Sequence, residues 1–132
     1  MIRGLRTAVY YVEDLKAATL WYQQLVGHEP YFNTAYYVGF NVGGFELGLH
    51  PIERPIVRGD SPGIYWAVDD VNAAWAALLA RGATIDRAVE DVGGGIRLAT
   101  LKDPWGNLLG IIENPSFRFN EAAVEPTKPA SH

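Results

Sequence analysis

The chain has 132 residues, of which 48% are apolar and 20% are charged, and it contains no cysteine. These proportions are typical of a globular domain. They exclude a fibrous repeat, a disulfide scaffold, a thiolate metal site and a cysteine nucleophile. Fifteen acidic and eleven basic residues give a net charge of -4. Because no basic cluster is present that could follow a phosphate backbone, we expect no nucleic-acid partner.

The apolar runs of the sequence indicate a cytoplasmic protein. Residues 1–6 lack the apolar core of a signal peptide. The longest apolar run, residues 73–80, is far too short to cross a bilayer. We therefore expect a soluble, cytoplasmic chain with no membrane partner.

The first fifty residues predict a strand, a helix and three further strands. The strand is predicted from Gly4 to Val12, where β-branched and aromatic residues follow one another. Asp14 caps the predicted helix and Gly27 ends it, and apolar residues recur between them at three- and four-residue steps. Gly43 and Gly44 supply the left-handed dihedral angles of a tight hairpin. The three shorter strands are predicted over residues 29–33, 35–42 and 45–50.

The same order of elements returns after residues 51–62, whose prolines and charges indicate a connector. A strand is predicted over residues 63–68, then a cap at Asp69 or Asp70, and a helix from Val71 to Ala80. Three more strands are predicted over residues 84–89, 96–101 and 107–113, with a turn at 103–107 before the last of them.

An internal duplication is the strongest feature of the sequence. Residues 12–18 match residues 68–74 at a constant spacing. The chain is therefore predicted to fold as two β-α-β-β-β modules, residues 1–50 and 63–115, within one domain. Residues 116–132 are polar, contain prolines and show no periodicity, so we expect a mobile tail.

Four motifs in a fixed order carry a resemblance to a known family. V-x-D-L opens the first helix, W-Y-x-x-L-x-G closes it, V-D-D-V opens the second helix and D-P-W-G-N forms the last turn. Together, over residues 5–115, they resemble the vicinal oxygen chelate superfamily, which includes glyoxalase I, extradiol dioxygenases and bleomycin resistance proteins. The resemblance implies an α+β, glyoxalase-like fold in which each module curls a mixed sheet into a half-cup. Two half-cups then face each other around a cleft, often across a dimer.

The resemblance also implies where metal ligands would lie. Metal-dependent members carry His, Gln or Glu at four strand positions, and in this chain those positions fall on Thr7, Gly63, Gly110 and either Glu46 or Gly48. Glycine has no side chain to offer a cation, and one carboxylate does not hold a catalytic metal. We therefore expect a metal-free member with no cofactor, in which glycines leave room for a ligand.

Strand alternation selects the residues that would line the cleft. Thr7, Val9 and Tyr11 share one face of the first strand, as Gly63 and Tyr65 do on the fifth. The rings of Tyr11 and Tyr65 would suit an aromatic or amphipathic ligand, although they could equally fill a core.

Three further side chains are candidates for ligand contact. Glu46 is a carboxylate inside a predicted strand, which suggests a bound partner or a catalytic role, or else a solvent-facing edge position. If Ile96 and Leu98 face the helices, Arg97 faces the cleft and could pair with Glu46 or bind an anion; otherwise it is an exposed edge arginine. Trp105 in the last turn is either a rim aromatic or a contact with a neighbouring subunit.

The leading hypothesis is a glyoxalase- or bleomycin-resistance-like homodimer that binds a small hydrophobic or aromatic molecule without a metal. Exposed strand edges and an apolar face favour twofold pairing. The alternative is a divalent-metal-dependent lyase or dioxygenase that recruits other ligands, for example Glu46 and His50 with a residue from a partner chain. A third hypothesis is an assembly module with no ligand.

Overall fold

The structure, a computed structural model, describes residues 1, 3–59, 61 and 63–115. These residues divide into two compact units: the first unit extends to Ile56 and the second unit begins at Val57, inside the predicted connector. The predicted tail, residues 116–132, lies outside the described residues. The elements of the first unit are β1 (Thr7–Val12), α1 (Leu15–Val26), β2 (Phe32–Asn33), β3 (Val38–Val42) and β4 (Phe45–Pro51). Those of the second unit are β5 (Tyr65–Ala67), α2 (Val71–Ala80), β6 (Thr84–Gly93), β7 (Ile96–Lys102) and β8 (Leu108–Glu113).

Each unit forms a four-stranded mixed sheet with the same topology. The strand orders are β1-β4-β3-β2 and β5-β8-β7-β6. The first strand of each unit pairs in parallel with the last, and the remaining pairs are antiparallel. The predicted α+β fold of two tandem β-α-β-β-β modules is therefore confirmed. None of the helices in the described part of the chain is long and apolar enough to span a bilayer.

The helix ends are fixed by the capping residues that the sequence indicates. Asp14 accepts a hydrogen bond from the Ala17 amide at 3.0 Å, and Gly27 adopts a φ of 88° after the last turn of α1. Of the two candidate caps for α2, Asp70 is the one that accepts from the backbone, at Asn72 and Ala73. These side chains satisfy amides that the first helical turn leaves without partners.

The first sheet has one face against α1 and one face turned away from it. Ala8, Tyr10 and Val12 of β1 are buried, as are Leu47 and Leu49 of β4, and α1 contacts β3 and β4. The opposite face, which we call the outer face, carries the alternate residues. As predicted, those on β1 are Thr7, Val9 and Tyr11, and the register adds Glu46, Gly48 and His50 on β4.

The second sheet follows the same rule. Ile111 of β8 pairs with Trp66 of β5 on one side and with Ala99 of β7 on the other. These three residues and the buried Leu101 lie on the face of the sheet that packs on α2. Tyr65 and Thr100 both pair with Gly110 and lie on the outer face of this sheet.

The first of the two orientations considered for Arg97, toward the cleft, is wrong. Since Ala99 and Leu101 face α2 and alternation along β7 is regular, Arg97 shares their side. Its Nη2 lies 2.9 Å from the side-chain oxygen of Asn72, in the orientation that lets this amide accept. That orientation required Ile96 and Leu98 to face the helix, but they alternate with Ala99 and Leu101 and therefore lie on the other face of the sheet. Arg97 therefore does not share the outer face with Tyr65.

Candidate functional site

A carboxylate held by three hydroxyl groups lies on the outer face of the first unit. Glu46 Oε1 accepts hydrogen bonds from Thr7 Oγ1 at 3.0 Å and from Tyr37 Oη at 2.7 Å. Glu46 Oε2 accepts from the hydroxyl of Tyr31. Charge-assisted bonds of this kind are stronger than neutral ones. Glu46 therefore fixes β1 and the segments before β2 and β3 to one point on β4.

The two tyrosines are held in their protonated form. The pKa of Tyr31 is raised to about 12, mainly by burial and then by the hydrogen bond and negative charge of Glu46, while the positive charge of Arg6 opposes the rise. The pKa of Tyr37 is raised above its usual value by burial first, and then by the hydrogen bond and charge of Glu46. Both phenols therefore act as hydrogen-bond donors and not as bases near neutral pH.

Two paired glycines let the tyrosines approach the sheet. Gly39 on β3 and Gly48 on β4 are cross-strand partners. A Cβ at Gly48 would lie 2.8 Å from Tyr37 Cζ, and one at Gly39 would lie 2.6 Å from Glu46 Oε2. A side chain at either position would force the Glu46 carboxylate or the Tyr37 phenol to move.

In the second unit, too, a glycine of the last strand lies against a tyrosine ring, but here the tyrosine belongs to β5. A Cβ at Gly110 would lie 2.5 Å from the Ile64 carbonyl oxygen and 2.6 Å from the ring of Tyr65. The expectation that glycines leave room for a ligand is therefore wrong at Gly48 and Gly110, because Tyr37 and Tyr65 occupy that room. Gly63 is different, since a Cβ there would make only an ordinary contact of 3.6 Å with the ring of Tyr65.

Strand register distinguishes the two candidates for the family's ligand position on β4. Val9 pairs with Gly48, and its counterpart under the duplication, Tyr65, pairs with Gly110. Gly48 is thus the counterpart of Gly110, and Glu46, two residues earlier on the same face, is the counterpart of Leu108.

The residues at these positions do not fit a divalent metal. The four positions hold Thr7, Gly48, Gly63 and Gly110, and the Thr7 hydroxyl donates to Glu46. Over residues 1, 3–59, 61 and 63–115, no three His, Cys, Asp or Glu side chains are grouped so that they could hold an ion. First-row divalent ions need several imidazole or anionic ligands, and no such set is present in this part of the chain.

His50, the second residue of the metal-enzyme hypothesis, lies in an aromatic cluster on the outer face. Its Nδ1 lies 2.6 Å from the Pro51 carbonyl oxygen, so that nitrogen carries the proton. Its ring lies 5.4 Å from the Tyr11 ring and 6.3 Å from the Tyr37 ring, measured between centroids. The guanidinium of Arg54 lies 5.8 Å from the centroid of Tyr11. The predicted position of Tyr11 on this face is correct, and its contact with a ligand stays a prediction.

A cavity of about 320 Å³ lies beside Glu46. This volume is at the lower end of the range for small-molecule sites, roughly 300–1,000 Å³. Its lining combines apolar groups with one cation, one anion and an amide: Leu5, Arg6, Tyr31, Asn41, Gly44, Phe45 and Glu46. The cavity therefore offers both apolar contact and directed polar groups.

Sequence reasoning found Glu46 but missed the residues around it. Tyr37 was placed within a strand over residues 35–42, whereas β3 begins at Val38 because Thr34 Oγ1 accepts hydrogen bonds from the amides of Tyr36 and Tyr37 and forms a turn. Threonine before two tyrosines was an available signal for this turn. Trp105 lies in the turn before β8, where its amide donates to Asp103, and its role at a rim stays a prediction.

Comparisons with known proteins agree with this architecture. A glyoxalase-related enzyme from Fulvimarina pelagi is 19% identical, with a TM-score of 0.75, over 98% of this chain and 100% of that chain. The fosfomycin resistance protein FosX from Listeria monocytogenes is 19% identical, with a TM-score of 0.72, over 88% and 97% of the respective chains. A superfamily member from Sphaerobacter thermophilus is 24% identical, with a TM-score of 0.70, over 86% and 98%. At these identities the likeness establishes the fold alone.

Comparison with curated proteins gives no significant match. A family model described as the Glyoxalase/Bleomycin resistance protein/Dioxygenase superfamily matches residues 4–111, which is most of the chain. The chain therefore belongs to the Glyoxalase/Bleomycin resistance protein/Dioxygenase superfamily.

Proposed function

We propose that the protein binds a small aromatic or amphipathic molecule in the Glu46 cavity of the first unit, without a metal ion. The observation that carries this proposal is the carboxylate of Glu46, which is fixed in place by three hydroxyl groups and lines a cavity of molecular size. A preorganised acceptor beside apolar surface is the usual composition of a small-molecule site.

The shape of the lining favours a flat ligand that carries a hydrogen-bond donor. Tyr31 and Phe45 line the cavity, and Phe45 is 37% exposed although it is a large apolar residue. Glu46 accepts hydrogen bonds, so a ligand N–H or O–H that reaches it would join or replace one of the hydroxyl donors. Arg6 and Asn41 would orient further polar groups of the ligand.

Metal-independent binding is supported by the way Glu46 is already engaged. Three hydroxyl donors take most of the roughly four acceptor positions of a carboxylate. A metal ion at Glu46 would have to displace these bonds, and the described residues contain no group of three His, Cys, Asp or Glu side chains to hold it.

Indole and 1-methylindole are matched probes for the proposal, because the two rings are similar and only indole has an N–H donor. We expect indole to bind more tightly and to shift the backbone amide resonances of Arg6, Asn41 and Phe45. Glu46→Gln should weaken indole binding by about ten- to a hundredfold, and Glu53→Gln, which changes an exposed carboxylate in the same unit, should not. Equal indole affinity in the wild type and Glu46→Gln, or shifts confined to other residues, would overturn the proposal.

The homodimer is a further part of the proposal. Exposed apolar residues on the outer faces, such as Val9 at 38% and Tyr65 at 42%, support it. Light scattering at micromolar concentration should give twice the chain mass of 14.5 kDa. A monomer mass throughout the concentration range would exclude this part and leave the binding proposal intact.

A further inference from the structure

The second unit contains a pocket with a different charge from the Glu46 cavity. Its volume is about 290 Å³, and it is lined by Arg58, Gly59, Lys102, Gly106 and Leu108. Two of these five residues are cationic and the other three are uncharged. The pocket lies at the end of the second sheet, beside the turn that joins β7 to β8.

Two contacts hold the distal part of the Arg58 side chain in position. Its Nη1 donates to Asn107 Oδ1 at 2.5 Å. Its Cδ packs so closely on Gly106 that a Cβ there would lie 3.2 Å away. Gly106 has a φ of 85°, a conformation that favours glycine, so the turn itself provides the surface on which the arginine lies.

The turn beneath Arg58 is rigidly built. Asp103 is buried, with 3% of its surface exposed, and it accepts hydrogen bonds from the amides of Trp105 and Asn107 at 2.9 and 2.8 Å. The side-chain amide of Asn107 donates to the same carboxylate at 3.0 Å. The hydrogen bonds to Asp103 therefore fix Asn107, and the side-chain oxygen of Asn107 in turn orients the Arg58 guanidinium. Because the guanidinium is already oriented, binding an anion costs it little conformational entropy.

Lys102 adds a second positive charge at the same place. It is the cross-strand partner of Leu108 and is exposed, so its side chain extends into solvent. A fixed guanidinium and an exposed ammonium are a combination that suits the oxygens of an anion, the first by geometry and the second by charge.

We propose that this pocket is a second binding site, specific for a small oxyanion such as a phosphate or carboxylate group. The proposal is independent of the Glu46 cavity, since none of its residues belongs to the first unit. The apolar side chain of Leu108 would contact the carbon portion of a ligand whose anionic group lies between Arg58 and Lys102.

The test is a titration of the full chain with inorganic phosphate, and separately with acetate, followed by calorimetry and by backbone amide resonances. We expect saturable binding of at least one anion, with shifts at Gly59 and Gly106 and an affinity that falls as ionic strength rises. Phosphate binding without acetate binding would identify a phosphate group as the ligand, and the reverse result a carboxylate.

Charge-matched variants separate a built site from general attraction. Arg58→Gln should weaken binding about tenfold, and Lys102→Gln about threefold because its side chain is exposed. The control Lys16→Gln removes one positive charge from the surface of α1 and should leave the affinity unchanged. Arg81→Gln, at the end of α2 in the second unit, controls for the arginine substitution in the same way.

Three results would overturn the proposal. One is the absence of saturable binding of either anion by the wild type. Another is an unchanged affinity in both Arg58→Gln and Lys102→Gln. The third is an equal loss in the Lys16→Gln and Arg81→Gln controls, which would show that only net charge matters. Circular dichroism of each variant ensures that a loss of binding is not a loss of fold.

Discussion

The two units of this chain share one topology and differ in the chemistry at equivalent positions. The position of Glu46 in the first unit is taken by Leu108 in the second. The cross-strand partner of Glu46 is Asn41, whereas the cross-strand partner of Leu108 is Lys102. One cavity thus contains a hydroxyl-bound carboxylate, and its counterpart contains two cations.

The units differ less at the backbone. In both, a glycine on the last strand lies directly beneath a tyrosine ring, but the ring comes from different places. Tyr37 precedes β3 in the first unit, whereas Tyr65 begins β5 in the second. Different segments of the chain can therefore supply the ring that covers the glycine. The chemical difference between the two units lies in the residues that line their cavities.

Gly110→Ala should have the largest effect on stability. The new Cβ would meet the Ile64 carbonyl oxygen, which is backbone and yields little, as well as the Tyr65 ring. We expect a loss of about 3 kcal/mol in the free energy of unfolding, measured with urea. Gly48→Ala should cost less, because the contact there is with a side chain, the phenol of Tyr37, and not with backbone.

Gly59→Ala is the control for both substitutions, since nothing lies within 4 Å of a Cβ at that position and its φ is not positive. It should change stability by no more than about 0.5 kcal/mol. If Gly110→Ala were as mild as this control, the close packing of Tyr65 on the sheet would be refuted.

Glu46→Ala should destabilise the first unit by about 2 kcal/mol. The substitution leaves the half-buried hydroxyls of Thr7, Tyr31 and Tyr37 without their common acceptor. Glu53→Ala, an exposed acid in the same unit, should be near neutral. Equal urea midpoints for the two variants would show that the three hydrogen bonds add no net stability.

The helix caps allow a smaller comparison between the units. Asp14→Ala and Asp70→Ala should each cost about 1 kcal/mol, because each removes the acceptor for amides in the first turn of its helix. Asp69→Ala, which changes the neighbour of the second cap, should be within about 0.5 kcal/mol of the wild type. A cost at Asp69 that matched the cost at Asp70 would contradict the assigned cap.

The last effect is absent at neutral pH and appears only in alkaline solution. The pKa of Tyr31 is raised from 10.0 to about 12 in the folded chain, so the folded state retains a proton that the unfolded state loses. The stabilisation is fully present below pH 10 and falls as the pH rises from 10 through about 12. Glu46→Gln should narrow the pH range over which stability is lost, because it removes the negative charge beside Tyr31 but leaves Tyr31 buried.

Ultraviolet absorbance of tyrosinate, recorded with urea unfolding at pH 8, 10 and 11, measures this effect. A wild-type stability that stayed level from pH 8 to 11 would contradict the raised pKa of Tyr31. The same spectra of Glu46→Gln should show tyrosines that ionise at lower pH.

Much of the fold was predictable because its signals are local. Asp14 and Gly27 bound the first helix through interactions within a few residues, and the alternation along β1 follows from strand geometry. The orientation of Arg97 was not predictable in this way, because a single choice of parity for β7 inverts the face of every residue on it.

The site was only partly predictable, for a related reason. Glu46 was recognisable as a charge inside a strand, but its partners are 39, 15 and 9 residues away in sequence. Their convergence depends on strand register and on the turn at Thr34. The space above Gly48 and Gly110 could not be assessed from the sequence either, since it depends on which ring folds over each glycine.

The affinity of the full chain for indole, before and after chelator treatment, tests the central claim most directly. The account predicts the same affinity in both conditions and a weaker affinity in Glu46→Gln under either condition. Loss of binding on chelation, with recovery when a divalent metal ion is restored, would contradict metal-independent binding at Glu46.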